Sequence, residues 1–276
     1  MKFLTTIDIQ RSSYSLTYDD RILMLGSCFS DEIARKLGEY YFRVDANPFG
    51  TLYNPVSIAR HLTDERVEQY SVVILTLGTA WVYVDRQTGE VVDNCEKRPA
   101  SDFIRRRLTV EEVVATLQPI LERHPAQRFI LTVSPIRHLK DGLHENNLSK
   151  AILLQAIETL THNLSPVTRN PSPITRNPSP ITYFPSYEIL LDELRDYRFY
   201  ADDLMHPSRQ AVEYIFERFA HAYIYDKVTQ QRMQELHSLW LDRQHRPLHP
   251  DTPEAQAFAR SIEEKAARLR TAFPWI

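Results

Sequence analysis

Three short runs of consecutive apolar residues punctuate the first half of the chain: residues 21–25 (RILML), 71–77 (SVVILTL) and 128–133 (RFILTV). Each is closed by turn-forming residues, respectively Gly26, Gly78 and Ser134-Pro135. Unbroken apolar runs of this length predict strands covered on both faces, whereas a half-exposed strand would alternate. Between them apolar positions recur at helical spacing. Ile33, Ala34 and Leu37 follow a Ser30-Asp31-Glu32 start signal. Residues 56–62 and 109–123 read as helices, the latter opening on Thr109 and Glu112 at capping-box spacing. Residues 148–162 place Ile152, Leu153, Ala156, Ile157 and Leu160 on one side, with Asn146 and Asn147 before them as capping residues.

Weaker patterns fill the rest. Residues 41–44 predict a further strand, and residues 47–55 a turn-rich loop. Residues 81–85 and 90–94 alternate around Gln87-Thr88-Gly89, which predicts a hairpin. Residues 182–185 read as a short strand, 186–194 as a helix, 198–206 as a loop and 207–225 as another helix. Residues 228–241 and 253–273 are helical and highly charged. Strand and helix in alternation predict an α/β fold, a three-layer α/β/α sandwich with a mainly parallel sheet. The expected division is a main domain over residues 1–226 and a helical C-terminal extension over 227–276. Within the domain, SPVTRNP (165–171) is followed by SPITRNP and SPIT, a seven-residue tandem repeat. Rich in Pro and Ser, it predicts a mobile surface insert without function over residues 164–182.

Composition narrows the class of protein. A chain of 276 residues, 43% hydrophobic and 25% charged, is that of an ordinary globular protein with one large core. A net charge of −3 supplies no basic field for nucleic acid or anionic membranes. Arg105–Arg107 is flanked by acids and reads as solvated surface. The opening MKFLTTIDIQRSS is too short and too polar for a signal peptide, and no run reaches membrane-span length. Two cysteines, Cys28 and Cys95, make no disulfide framework. Cytoplasm with reduced thiols is the expected compartment.

In a parallel α/β sheet, ligands bind beyond the carboxyl ends of the strands. Gly26-Ser27-Cys28, Gly78-Thr79 and Ser134-Pro135 arrive there. The first stands at the start of a helix, whose free N–H groups lower a thiol pKa and can hold an oxyanion. The structural alternative is that Ser27 is a helix cap and Cys28 a small buried filler. Asp203 and His206 are spaced so that the carboxylate holds the imidazole and leaves its other nitrogen for a nucleophile. Arg137 and His138 follow the third buried strand, where Arg137 would clamp a carboxylate or phosphate or pair with Asp141. His138 with His144, and His245 with His249, lack metal-ligand spacing, so no metal and no cofactor are expected. No phosphate loop or dinucleotide fingerprint is present.

Gly26-Ser27-Cys28-Phe29-Ser30, taken with residues 47–55, 76–83 (TLGTAWVY), 133–138 (VSPIRH), 183–200 and 203–208, resembles the GSCFA family. That group is similar to SGNH hydrolases and is called after its Gly-Ser-Cys-Phe-Ala stretch. The resemblance spans roughly residues 1–225 and leaves the repeat outside it. It implies an SGNH-like fold and acyl chemistry. By the superfamily's pattern, Cys28 falls where the nucleophile stands, with Ser27 one place before it as the alternative. His206 falls on the base and Asp203 on its orienting carboxylate. Gly50 matches the second-loop glycine whose N–H enters the oxyanion hole. The departure is Ala80, where the pattern, continuing from Gly78, has the oxyanion Asn; Thr79, Asn47 or Asn54 would have to substitute. The resemblance therefore implies a short-chain esterase acting on a sugar or small metabolite through a covalent acyl-enzyme. An O-acyltransferase using the same site, or a non-catalytic carbohydrate- or partner-binding protein, is the alternative. The expected ligand is a small-molecule or carbohydrate ester, with no nucleic acid or membrane partner; the C-terminal helices are candidates for homo-oligomer contact.

Overall fold

A computed structural model describes residues 4–93, 98–164 and 180–276. Cys95 and residues 165–179, most of the tandem repeat, lie outside these residues. The insert predicted over residues 164–182 reaches too far: Ile181 and Thr182, its last two residues, belong to a strand paired with Phe129 and Ile130, and Ile181 is buried. In chain order the elements are β1 (Arg21–Gly26), α1 (Cys28–Glu39), β2 (Arg43–Ala46), α2 (Pro55–His61), α3 (Asp64–Val67) and β3 (Val72–Leu77). Then follow β4 (Trp81–Asp85), β5 (Val91–Val92), β6 (Phe103–Arg107), α4 (Val110–Arg123), β7 (Arg128–Val133) and α5 (Leu143–Asn163). The chain closes with β8 (Ile181–Phe184), α6 (Ser186–Glu188), α7 (Arg209–Tyr223), α8 (Lys227–Gln244) and α9 (Pro253–Arg270).

Five strands form one parallel sheet in the order β2-β1-β3-β7-β8. The three apolar runs are its centre, and each is buried on both faces because successive side chains point to opposite layers. Ile22, Met24, Val72 and Ile74 pack with Ile33 and Leu37 of α1 and Ile215 and Phe219 of α7. Leu23, Leu25, Val73 and Leu75 pack with Val113 and Leu117 of α4 and Leu153 and Ile157 of α5. The protein is thus a three-layer α/β/α sandwich. Met233 and Leu236 of α8, with Phe273 after α9, belong to the α1 and α7 side of that core. In register, Gly26 lies beside Thr76 and Leu77 beside Val133, so the turns after β1, β3 and β7 emerge at one edge.

Several local expectations differ from what is observed. Helix α1 begins at Cys28 with Ser27 as its cap; Ser30 lies inside it and donates to Thr76 Oγ1 at 2.7 Å. Helix α5 begins at Leu143, so Asn146 and Asn147 are not caps but lie in its first turns. Arg105–Arg107 is solvated and acid-paired as expected, but it is also a strand, part of β6, which pairs with β4 in a separate antiparallel sheet of order β5-β4-β6. Across the ladder Arg105, Arg106 and Arg107 stand opposite Tyr83, Val82 and Trp81, and the guanidinium groups of Arg105 and Arg107 lie over the Trp81 ring at 4.1 and 5.6 Å. Strand β2 sits two residues later than its apolar pattern suggests, because its pairing with β1 sets the register. The segment after α6 widens to a π-type turn over Ile189–Leu194 and stops at Arg195, whose φ is +50°.

Candidate active site

The turn from β1 into α1 is dictated by Gly26. Its φ is +144°, and a Cβ there would stand 2.1 Å from the Thr76 carbonyl oxygen. Only glycine admits that approach to the neighbouring strand. Ser27 follows, 1% exposed, its Oγ accepting from the Phe29 N–H and donating to Ser134 Oγ at 2.9 Å. It caps the helix and links two strand ends, which turns it away from solvent. Cys28, the first residue of α1, is only half-buried. Burial pushes its thiol up, the Cys28 and Phe29 N–H groups act against this, and Asp31 and Glu32 add to the rise.

The loop before α7 presents the imidazole. Asp203 Oδ1 accepts from the Met205 and His206 N–H groups at 2.9 and 3.0 Å, and Oδ2 meets His206 Nδ1 at 2.6 Å. Those two amides, ahead of the imidazole itself, hold the carboxyl down at about 2. Leu204 accepts a φ of +57° to close this tight turn. With Nδ1 held, Nε2 faces Cys28 Sγ at 3.4 Å. Of the two candidate nucleophiles, therefore, the structure brings Cys28 to the imidazole and leaves Ser27 elsewhere.

Beneath this edge lies a polar floor that the sequence reading passed over. Lys150 is 1% exposed and fully enclosed, yet its Nζ meets no carboxylate among the described residues. It donates to the Gly78 carbonyl at 2.6 Å and the Ser134 carbonyl at 2.7 Å. Burial lowers its pKa to about 7, while the Cys28 sulfur acts to raise it. Beside it in sequence, Ser149 Oγ accepts from the Ala80 N–H at 2.7 Å and shares a hydrogen bond with Thr79 Oγ1. Asn146 Oδ1 accepts from the His138 N–H at 3.0 Å. The signal was present: Asn146, Ser149 and Lys150 continue the apolar stripe of Leu153, Ala156, Ile157 and Leu160. Polar side chains on a buried stripe must find partners there.

The remaining candidates divide. Asn54, Thr79, Arg137 and His138 line a cavity of about 400 Å³ together with Cys28 and His206. Asn54 caps α2, accepting from the Ser57 N–H at 2.9 Å. His138 is mostly buried, and desolvation with nearby Lys150 lowers it to about 4, so it is neutral. Arg137 makes no bridge to Asp141, which pairs instead with Arg105; its guanidinium lies over the Tyr200 ring at 3.8 Å. Gly50 and Asn47 do not reach the thiol. The Gly50 N–H is given to the Asn47 carbonyl at 2.8 Å, and Gly50 borders a neighbouring cavity. Asn47 accepts from the Gly26 N–H and donates to Asp31, bracing the turn from behind. Gly78 is required by packing, since a Cβ would stand 2.9 Å from the Tyr53 carbonyl oxygen. Among the described residues no cluster of metal-ligating side chains is found, and no helix is long and apolar enough to cross a membrane.

The GSCFA family model matches residues 21–65 and 59–219, and the model for the C-terminal domain of GSCFA domain proteins matches residues 237–276. No curated protein matches the chain. Among solved structures it is similar to a variant acetyl-xylooligosaccharide esterase of Geobacillus stearothermophilus, at 11% identity and a TM-score of 0.47, covering 80% of this chain and 98% of that one. A carbohydrate esterase family 3 protein of Talaromyces cellulolyticus matches at 12% identity and a TM-score of 0.40, covering 78% and 98%. A GDSL-like lipase of Bacteroides thetaiotaomicron matches at 10% identity and 0.43, covering 73% and 86%.

Proposed function

The chain belongs to the GSCFA family, and from that premise we propose that it is an SGNH-type acyl hydrolase working through a thioester on Cys28. The observation that carries this reading is the line from Cys28 Sγ through His206 to Asp203, with contacts of 3.4 and 2.6 Å. Because burial holds the thiol protonated, His206 Nε2 acts as a general base and takes the S–H proton as sulfur attacks the ester carbonyl. A C–S bond forms, the tetrahedral intermediate collapses with loss of the C–O bond, and the leaving oxygen receives that proton from His206. Water then adds to the thioester, giving one proton to His206, and the C–S bond breaks with the proton returned to sulfur. Asp203 keeps the proton-carrying imidazole oriented throughout. The Cys28 N–H at the start of α1 faces the developing oxyanion. Asn54 supplies the second donor, through the Nδ2 hydrogen beyond the one it gives to Ser57. It would stand in for the donor that Ala80 lacks, whose loss is worth about 10²–10³ in rate. The substrate class is a short-chain ester of a sugar or other small metabolite, consistent with the size of the cavity.

The thiol gives a second reading specific support: a thioester can pass its acyl group to a bound hydroxyl, making the protein an O-acyltransferase. A non-catalytic, ligand-binding protein is the reading favoured by Ala80, whose N–H is already satisfied by Ser149. The deciding experiment is incubation with 4-nitrophenyl acetate, following nitrophenol release and the intact mass. Turnover with one acetyl group trapped on Cys28, lost in Cys28→Ala and kept in Ser27→Ala, is expected. An acyl adduct that goes on to added polyols and not to water identifies the transferase. Absence of both turnover and adduct removes both enzymatic readings.

A further inference from the structure

Charged side chains bordering the Cys28 cavity are mostly matched. His206 faces Asp203, and Arg105 faces Asp141. Arg137 and Lys140 are different: among the described residues neither meets a carboxylate. Lys140 is exposed, whereas the Arg137 guanidinium lies over two aromatic rings, 3.8 Å from the Tyr200 centroid and 5.2 Å from that of Tyr197. Its backbone is pinned to the imidazole loop, the Arg137 N–H donating to the Met205 carbonyl at 3.1 Å. A guanidinium held over aromatic rings, with one contact to Tyr200, keeps further N–H donors for a carboxylate or phosphate. Its position relative to the chemistry is also defined. His206 hands its proton to the leaving oxygen, so the alcohol portion of the substrate lies on the imidazole side of Cys28, and Arg137 is tied to that side.

We propose that Arg137 forms a subsite for an anionic group, a carboxylate or phosphate, carried on the alcohol portion of the ester. The inference rests on the hydrolase reading above and narrows its substrates to esters of hydroxy acids or of phosphorylated alcohols. A neutral ester uses the thiol and imidazole alone, while the anionic ester adds a charge-assisted pair at the cavity mouth.

Three nitrophenyl esters test this: neutral 2-nitrophenyl acetate, 3-acetoxy-4-nitrobenzoate with its carboxylate on the leaving side, and mono-4-nitrophenyl glutarate with its carboxylate on the acyl side. After correction for intrinsic reactivity, kcat/KM for the leaving-side anion should exceed the neutral ester by roughly tenfold. That ratio should fall close to one in Arg137→Met, recover in part in Arg137→Lys, and shrink with added salt. A ratio near one in the wild type, a preference that survives Arg137→Met, or a preference for the acyl-side anion overturns the subsite. If no ester is turned over, the hydrolase reading fails separately. The subsite is then read from protection of Cys28 against iodoacetamide, which 3-hydroxy-4-nitrobenzoate should give and 2-nitrophenol should not. Equal protection by both, or by neither, counts against it.

Discussion

Two histidine–carboxylate pairs stand on the same rim of this protein. His206 meets Asp203 at 2.6 Å beside a cavity of about 400 Å³, and His61 meets Asp93 at 2.8 Å beside one of about 630 Å³. By cavity size the second is the better pocket, and by pair geometry the two are close. What separates them is where everything else points. Asp203 is satisfied by two backbone amides and spends its second oxygen on Nδ1, so Nε2 is turned toward a thiol. Asp93 shares itself with Arg60 at 2.8 Å and holds Nε2, while the His61 ring lies flat on Phe49 with centroids 4.6 Å apart. No hydroxyl or thiol among the described residues is hydrogen-bonded to His61. The floors differ too: the enclosed Lys150 amine lies below the first site, and the second pair stands within a solvent-facing ionic cluster. An imidazole and an acid do not make a reactive site; a nucleophile on the free nitrogen does.

The comparison breaks most visibly on the imidazoles. His206→Ala should lower kcat/KM for a short aryl ester by about 10²–10⁴, whereas His61→Ala should leave it within about twofold. A comparable loss from His61→Ala, measured under the same conditions, would mean that both pairs serve the chemistry.

The buried floor should show in the pH dependence of stability. Lys150 has its pKa lowered by burial to about 7 from an ordinary 10.5, so between those values the unfolded chain binds more protons than the folded one. Stability therefore rises with pH across that window and is lowest below pH 7, the slope being about 1.4 kcal/mol per pH unit near its middle. Chemical denaturation at pH 7 to 9.5 should show that rise in the wild type and lose it in Lys150→Met. A retained slope would show that Lys150 is not the group responsible.

The smallest effect concerns Ser27. Ser27→Ala removes a helix cap and should destabilise the fold by about 1 kcal/mol, read from the denaturation midpoint, with acylation of Cys28 still detectable. An adduct lost in Ser27→Ala but kept in Cys28→Ala would reverse the assignment of the nucleophile.

Much of this was legible in the linear pattern, and the reasons are local. The three apolar runs determined the centre of the sheet because a strand buried on both faces leaves no position for a polar side chain. Gly26 determined where β1 stops, and the spacing of Asp203 and His206 determined a turn in which one side chain holds the other. Elements set by long-range pairing were less visible. Strand β6 hides in Arg105–Arg107 because its side chains cover Trp81 and pair with acids on distant elements. The start of α5 was misplaced because Asn146 is a buried anchor for the His138 N–H and not a cap.

The sequence by itself determined the α/β architecture, the turn at residues 26–28 and the short list of candidate site residues. Only the tertiary structure decided which of them meet. Ser27 and Cys28 are adjacent, and one residue of a helix start rotates a side chain by about 100°, so the choice of atom facing His206 depends on how α1 is docked. Gly50 is excluded in the same way: its N–H is taken by a turn of its own loop. The elbow supplies a thiol and a cap, but the packing of α1 against the β3 and β7 turns aims the thiol at the imidazole and the cap at Ser134.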